Sequence, residues 1–125
     1  MTPAPSSSPL SVLQITDTHL GAQPGATLLG MDTDDSLQAV LQEIHSEAVT
    51  ADLLIATGDI ALNGAASSYR RFAEYAQPLA PLQSWIAGNH DLATVMDETE
   101  AGPRQRHLVF DHWQLIALDS AVPGE

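Results

Sequence analysis

The sequence predicts an α/β fold with a mainly parallel sheet and a terminal β-hairpin. Three observations predict it. Short apolar runs rich in β-branched residues alternate with longer stretches of helical periodicity, in the order β-α-β-α-β-α-β-β. The run from Leu53 to Ala56 is unbroken in apolar residues, as in a parallel strand buried on both faces. Three runs end in turns bearing Asp, Asn or His, at the edge where open α/β sheets place their ligands.

Residues 10–16 form the first strand, because Leu10, Val12, Leu13 and Ile15 make a short apolar run that reads as buried. Residues 20–33 contain Gly21, Pro24, Gly25 and Gly30 and read as a long loop over the sheet edge. Asp34 or Asp35 caps a helix reaching Val49, with Leu37, Val40, Leu41, Ile44 and Ala48 on one apolar face. Asp32, Asp34, Ser36 and Glu43 imitate a calcium loop, but Leu37 stands where that loop requires glycine. Residues 52–57 form the second strand, ended by Gly58-Asp59. Ser67 or Ser68 caps a second helix carrying Tyr69, Phe72, Ala73 and Ala76, which ends near Pro78 and Pro81. Residues 82–86 form the third strand and residues 92–101 the third helix. Residues 108–110 and 113–118 pair as a hairpin across Asp111-His112.

Composition bounds the function. The 125 residues suffice for one modest domain with a core. Cysteine is absent, which excludes disulfides and thiolate zinc sites and accords with a cytoplasmic location. The net charge of −12 opposes nucleic-acid binding and suits cations. No run approaches the roughly 20 apolar residues of a membrane span. Residues 1–9 are Pro/Ser-rich, lack the pattern of a signal peptide and read as a disordered tail before a domain over 10–125.

The chemistry gathers at the strand ends. Asp17 and His19 follow the first strand, and in an extended chain residues two apart project to one side. Asp59 follows the second strand, the middle one of the three. Asn89, His90 and Asp91 follow the third. Oxygen and nitrogen donors without sulfur suit Mn²⁺, Fe or Zn²⁺. Two such ions bridged by a carboxylate can hold a phosphate and activate its attack, and a nearby histidine outside the ligand set can protonate the leaving oxygen. Asp91 reads equally as a helix N-cap, Asp119 as structural, and His45, His107 and His112 as ordinary surface or half-buried histidines. Arg70-Arg71 reads as a solvated helix face, and Trp85 and Trp113 as core.

Thr-Asp-Thr-His at 16–19, Thr-Gly-Asp at 57–59 and Gly-Asn-His-Asp at 88–91 resemble, in order and spacing, the first three blocks of the calcineurin-like metallophosphoesterases. Residues 10–124 are most similar to the class III 3′,5′-cyclic AMP phosphodiesterases of that superfamily. The resemblance implies the amino-terminal half of an α/β/β/α sandwich and a hydrolase of phosphodiesters using two divalent metal ions. Asp17 and His19 would ligate the first ion, Asp59 would bridge both and Asn89 would ligate the second. His90 would be catalytic, contacting the phosphate and the leaving oxygen, with Asp91 orienting it. The substrate implied is a cyclic nucleotide; a phosphomonoesterase, pyrophosphatase or nuclease of the same superfamily is the alternative, as is a non-catalytic truncated domain. The family's later histidine blocks have no counterpart here, so the chain reads as truncated at its carboxyl end, with an uncovered sheet through which it can self-associate.

Overall fold

A computed structural model describes residues 9–99 and 106–118. Strand β1 (Val12–Ile15) leads to a small hairpin of β2 (Thr27–Leu28) and β3 (Met31–Asp32), then to helix α1 (Thr33–Ser46). Strand β4 (Leu53–Thr57), helix α2 (Ala66–Ala76) with a short 3-10 turn after it, and strand β5 (Leu82–Ile86) follow. Helix α3 (Ala93–Glu98) and the antiparallel strands β6 (His107–Val109) and β7 (Gln114–Ile116) complete the described chain.

Strands β1, β4 and β5 pair in parallel in the order β1-β4-β5. Val12 faces Leu53, which faces Leu82, so all three strands run in step and end together. That common edge is where the Asp, Asn and His residues leave the sheet. The central strand β4 is the most deeply covered, with Leu53, Leu54 and Ala56 buried, as its apolar run predicts. Tyr69, Phe72 and Ala76 of α2 join Leu54, Ala56 and Trp85 in the core. The rings of Phe72 and Trp85 meet edge to face with centroids 5.0 Å apart.

Several expectations are corrected. β1 is not a buried strand: it lies at the sheet edge, and Val12 is 47% exposed. For the same reason α1 finds little beneath it. Leu37 is buried, while Val40 is exposed and Ala48 lies beyond the helix end. The helix is capped by Asp32, whose side chain accepts from the Asp35 amide at 3.0 Å, and not by Asp34 or Asp35. Ser67 and Ser68 sit inside α2, whose N-cap Ala65 makes no side-chain cap bond. The loop over residues 20–33 contains the β2–β3 hairpin, turned by Leu29 and Gly30 with φ of 52° and 82°. Trp113 is 65% exposed and belongs to no core, whereas Trp85 is buried as expected. Residues 1–8 of the expected tail over 1–9, the last residues of the expected third helix at 100–101, and Asp119 lie outside the described residues.

Candidate metal centre

Beyond the strands, two loops continue side by side. The Asp17 amide donates to the Gly58 carbonyl at 3.0 Å, His19 to Asp59 at 2.9 Å and Leu20 to Ile60 at 2.9 Å. This pairing, and not an extended chain, sets the direction of the side chains. Asp17, His19 and Asp59 all have positive φ, at 59°, 47° and 50°. That region is sparsely populated by residues with a side chain, and such strain concentrates where function requires it.

The three side chains converge. Asp17, His19 and Asp59 each offer a ligand atom within 4.8 Å of the others. His19 Nε2 is 3.6 Å from Asp17 Oδ1 and 4.0 Å from Asp59 Oδ2, with His19 and Asp59 largely shielded from solvent. These gaps are too long for hydrogen bonds. They fit two donors that share one cation, each about 2.1 Å from it. His19 Nδ1 is buried without a hydrogen-bond partner among the described residues. The Asn89 amide lies within 3.3 Å of Asp59 Oδ1 and 3.2 Å of Oδ2. Turned one way its nitrogen donates to them; turned the other way its oxygen joins theirs, an arrangement that requires a cation. The donor set therefore fits divalent metal ions.

Two glycines let the loops come this close. Gly58 has φ of 101°, and a Cβ there would stand 3.2 Å from Gly88 Cα. A Cβ on Gly88 would collide with the Asp59 carboxylate and amide. The His90 amide donates to Asp59 Oδ1 at 2.8 Å, so the Asp59 carboxylate is tied directly to the third loop. His90 itself is exposed; its Nδ1 is 3.2 Å from the Leu62 carbonyl, and its ring meets that of His19 edge to face at 5.3 Å. The carbonyl can only accept, so Nδ1 carries a proton and Nε2 is the free nitrogen.

A model of the calcineurin-like phosphoesterases matches residues 10–123. The chain belongs to that family. The chain is 42% identical over 125 residues to the 3′,5′-cyclic adenosine monophosphate phosphodiesterase CpdA of Pseudomonas aeruginosa, covering 98% of this chain and 46% of that protein. It is 39% identical over 117 residues to the protein of that name from Escherichia coli K12, covering 90% of this chain and 42% of that protein. It is 36% identical over 117 residues to a 3′,5′-cyclic-nucleotide phosphodiesterase of Nostoc, covering 91% of this chain and 44% of that protein. The chain thus spans under half the length of the curated relatives it matches.

Asp17, His19, Asp59, Asn89 and His90 all stand at the sheet edge where the sequence expects them. His45, His107 and His112 are exposed and stand outside the cluster. Asp91 does not cap α3, whose N-cap is Leu92 without a side-chain cap bond. It is buried and accepts from the amides of Gly88 (2.8 Å), Ile60 (3.2 Å) and Ala61 (2.9 Å) and from the Tyr69 hydroxyl (2.9 Å). Arg71 is not solvated either: its side chain is 12% exposed and its Nε lies 2.7 Å from Asp34 Oδ2. Burial alone would push the Asp34 carboxyl up, but hydrogen bonds from Arg71 and Tyr75 hold it below the ordinary 3.8. Neither Tyr69 nor the Asp34–Arg71 pair carried a sequence signal beyond helical position. A cavity of about 310 Å³ opens beside Asp17 and His19, lined by Ile15, Leu28, Met31, Leu37 and Val40 among others.

No helix among the described residues is long and apolar enough to cross a membrane.

Proposed function

We propose that this chain carries the first part of the metal site, and the leaving-group histidine, of a metal-dependent phosphodiesterase acting on 3′,5′-cyclic nucleotides. The observation that carries the reading is the convergence of Asp17, His19 and Asp59 within 4.8 Å, beside Asn89 and His90. The chain's similarity to cyclic-nucleotide phosphodiesterases supports the substrate class.

In this reading Asp17 and His19 would hold one ion, Asp59 would be shared with a second, and Asn89 would hold the second through its amide oxygen. Mn²⁺ or Fe suits these donors best, and Zn²⁺ is the alternative. Two such ions, when bound, supply positive charge to the phosphate and to the oxygens that attack and leave it. The strained backbone at Asp17, His19 and Asp59 fixes the donors in place, so little is left to order when the ions arrive. His90 acts on the leaving oxygen. The Leu62 carbonyl accepts from Nδ1, which leaves Nε2 as the ring nitrogen that passes a proton to that oxygen. The amide bond from His90 to Asp59 couples the position of the acid to that of the bridging ligand.

Cysteine-free composition and a small polar substrate accord with a cytoplasmic location. The test is hydrolysis of cyclic AMP and bis-p-nitrophenyl phosphate with added Mn²⁺. Chelator-sensitive turnover of the cyclic nucleotide supports the proposal. Turnover of a phosphomonoester alone would overturn the substrate class.

A further inference from the structure

Arg71 of α2 joins three separate parts of the chain. Its Nε and Nη2 donate to the two oxygens of Asp34 at 2.7 and 3.0 Å, and Nη2 also donates to the Gly21 carbonyl at 2.8 Å. The Tyr75 hydroxyl also donates to Asp34, at 2.9 Å. A two-toothed carboxylate contact fixes the plane of a guanidinium, so Asp34 decides where the remaining donor capacity of Arg71 points. It points at a carbonyl two residues beyond His19.

That stretch is held at every step. His19 and Leu20 donate to Asp59 and Ile60, and Leu62 donates back to Leu20. On the other side α2 takes over: Ser68 and Arg71 donate to the Gly21 carbonyl and Ser67 to that of Ala22, each at 2.8 Å. His19 sits within this clamp at φ 47°, a backbone geometry it would leave if released. Buried ion pairs often add little net stability compared with apolar replacements of similar size. Positioning therefore accounts for this pair better than stability does.

We propose that Arg71 is a positioning residue: pinned by Asp34, it fixes the Gly21 carbonyl and so holds His19 in the geometry that turns its imidazole toward Asp17 and Asp59. Asp34 acts through Arg71 and touches none of the ligands. The proposal concerns the backbone of this chain, and only its metal-affinity test rests on the reading of the site given above.

Amide hydrogen exchange, followed by NMR on the whole chain, tests it without metal. In the double variant Asp34→Leu/Arg71→Met, the amides of His19, Leu20 and Leu62 should exchange about tenfold faster, the effect of weakening one charge-assisted hydrogen bond. The amides of β4 should keep their rates. The single variant Arg71→Lys retains a charge for Asp34 but lacks the second nitrogen for Gly21, and should show the same selective acceleration. In a parallel titration, Mn²⁺ should bind either variant about tenfold more weakly. Acceleration spread equally over β4 and the His19 segment would mean that Arg71 only adds global stability, and would overturn the proposal. Unchanged exchange at His19 and Leu20 in the lysine variant would overturn it too. Weak Mn²⁺ binding by the parent chain, with selective acceleration in the variants, would count against the metal reading and leave the clamp standing.

Discussion

The hydroxyl of Tyr69 donates to the carboxylate of Asp91 at 2.9 Å, in the buried space between α2 and the loop after β5. The same hydroxyl accepts from the Leu92 amide at 3.0 Å, while Asp91 gathers amides from both the Gly58 and Gly88 loops. One carboxylate thus fastens the loop that carries Asp59 to the loop that carries Asn89 and His90. Removing one partner leaves the others buried and unsatisfied. Tyr69→Phe should cost about 1–3 kcal/mol of stability and Asp91→Ala more, because three backbone amides then lose their acceptor. Urea denaturation measures both, and the double variant should fall short of the sum.

Gly88→Ala should damage the site more than the fold. The added methyl meets the Asp59 carboxylate and the Asp59 backbone amide. The expected outcome is a loss of Mn²⁺ affinity of at least about tenfold with a stability loss near 1–3 kcal/mol, the scale of local backbone strain. Calorimetric titration and thermal unfolding of the same variant separate the two.

Acid should weaken the Asp34 clamp in a defined window. The folded carboxyl is held below its ordinary 3.8 by Arg71 and Tyr75, against the opposing effect of burial. A depressed carboxylate stabilises the fold fully above its unfolded pKa, and that contribution is lost as pH falls through the folded value. The parent chain should therefore lose stability more steeply below about pH 4 than Asp34→Asn does. Urea midpoints measured across that range decide it; parallel curves would contradict the role given to Asp34.

The exposed apolar surface should cause self-association. Among the described residues Val12 lies on an unpaired edge of the parallel sheet, and Val109 and Ile116 are exposed on the β6–β7 hairpin at 72% and 59%. Free strand edges and exposed apolar side chains both recruit other chains. Sedimentation should show oligomers that Val109→Lys/Ile116→Glu reduces. Monomers at high concentration in the parent chain would contradict this.

The sequence disclosed the sheet well because its parallel strands are short, apolar and ended by unmistakable turns. Leu82–Ile86 has the bounds expected of it, and β4 begins one residue later than expected. The candidate ligand residues were legible because each stands directly after such a strand. What the sequence did not disclose depends on tertiary context. The edge position of β1 follows from the strand order, and with it the exposure of Val12 and Val40. Asp34 looked like a cap and Arg71 like a surface charge; only the approach of α1 and α2 makes them a buried pair. Asp91 likewise looked like a cap until Tyr69 and three amides claimed it. The left-handed backbone of Asp17 and His19 has no sequence signal, since neither is glycine.

The central claim is that Asp17, His19, Asp59 and Asn89 hold divalent ions while His90 does chemistry beside them. The most direct test is Mn²⁺ binding by the parent chain, Asp59→Asn and His90→Ala, measured side by side. The account predicts that the parent and His90→Ala bind alike and that Asp59→Asn loses the ion. If His90→Ala empties the site as completely as Asp59→Asn does, or if Asp59→Asn keeps the parent's affinity, the assignment of ligands and acid is wrong.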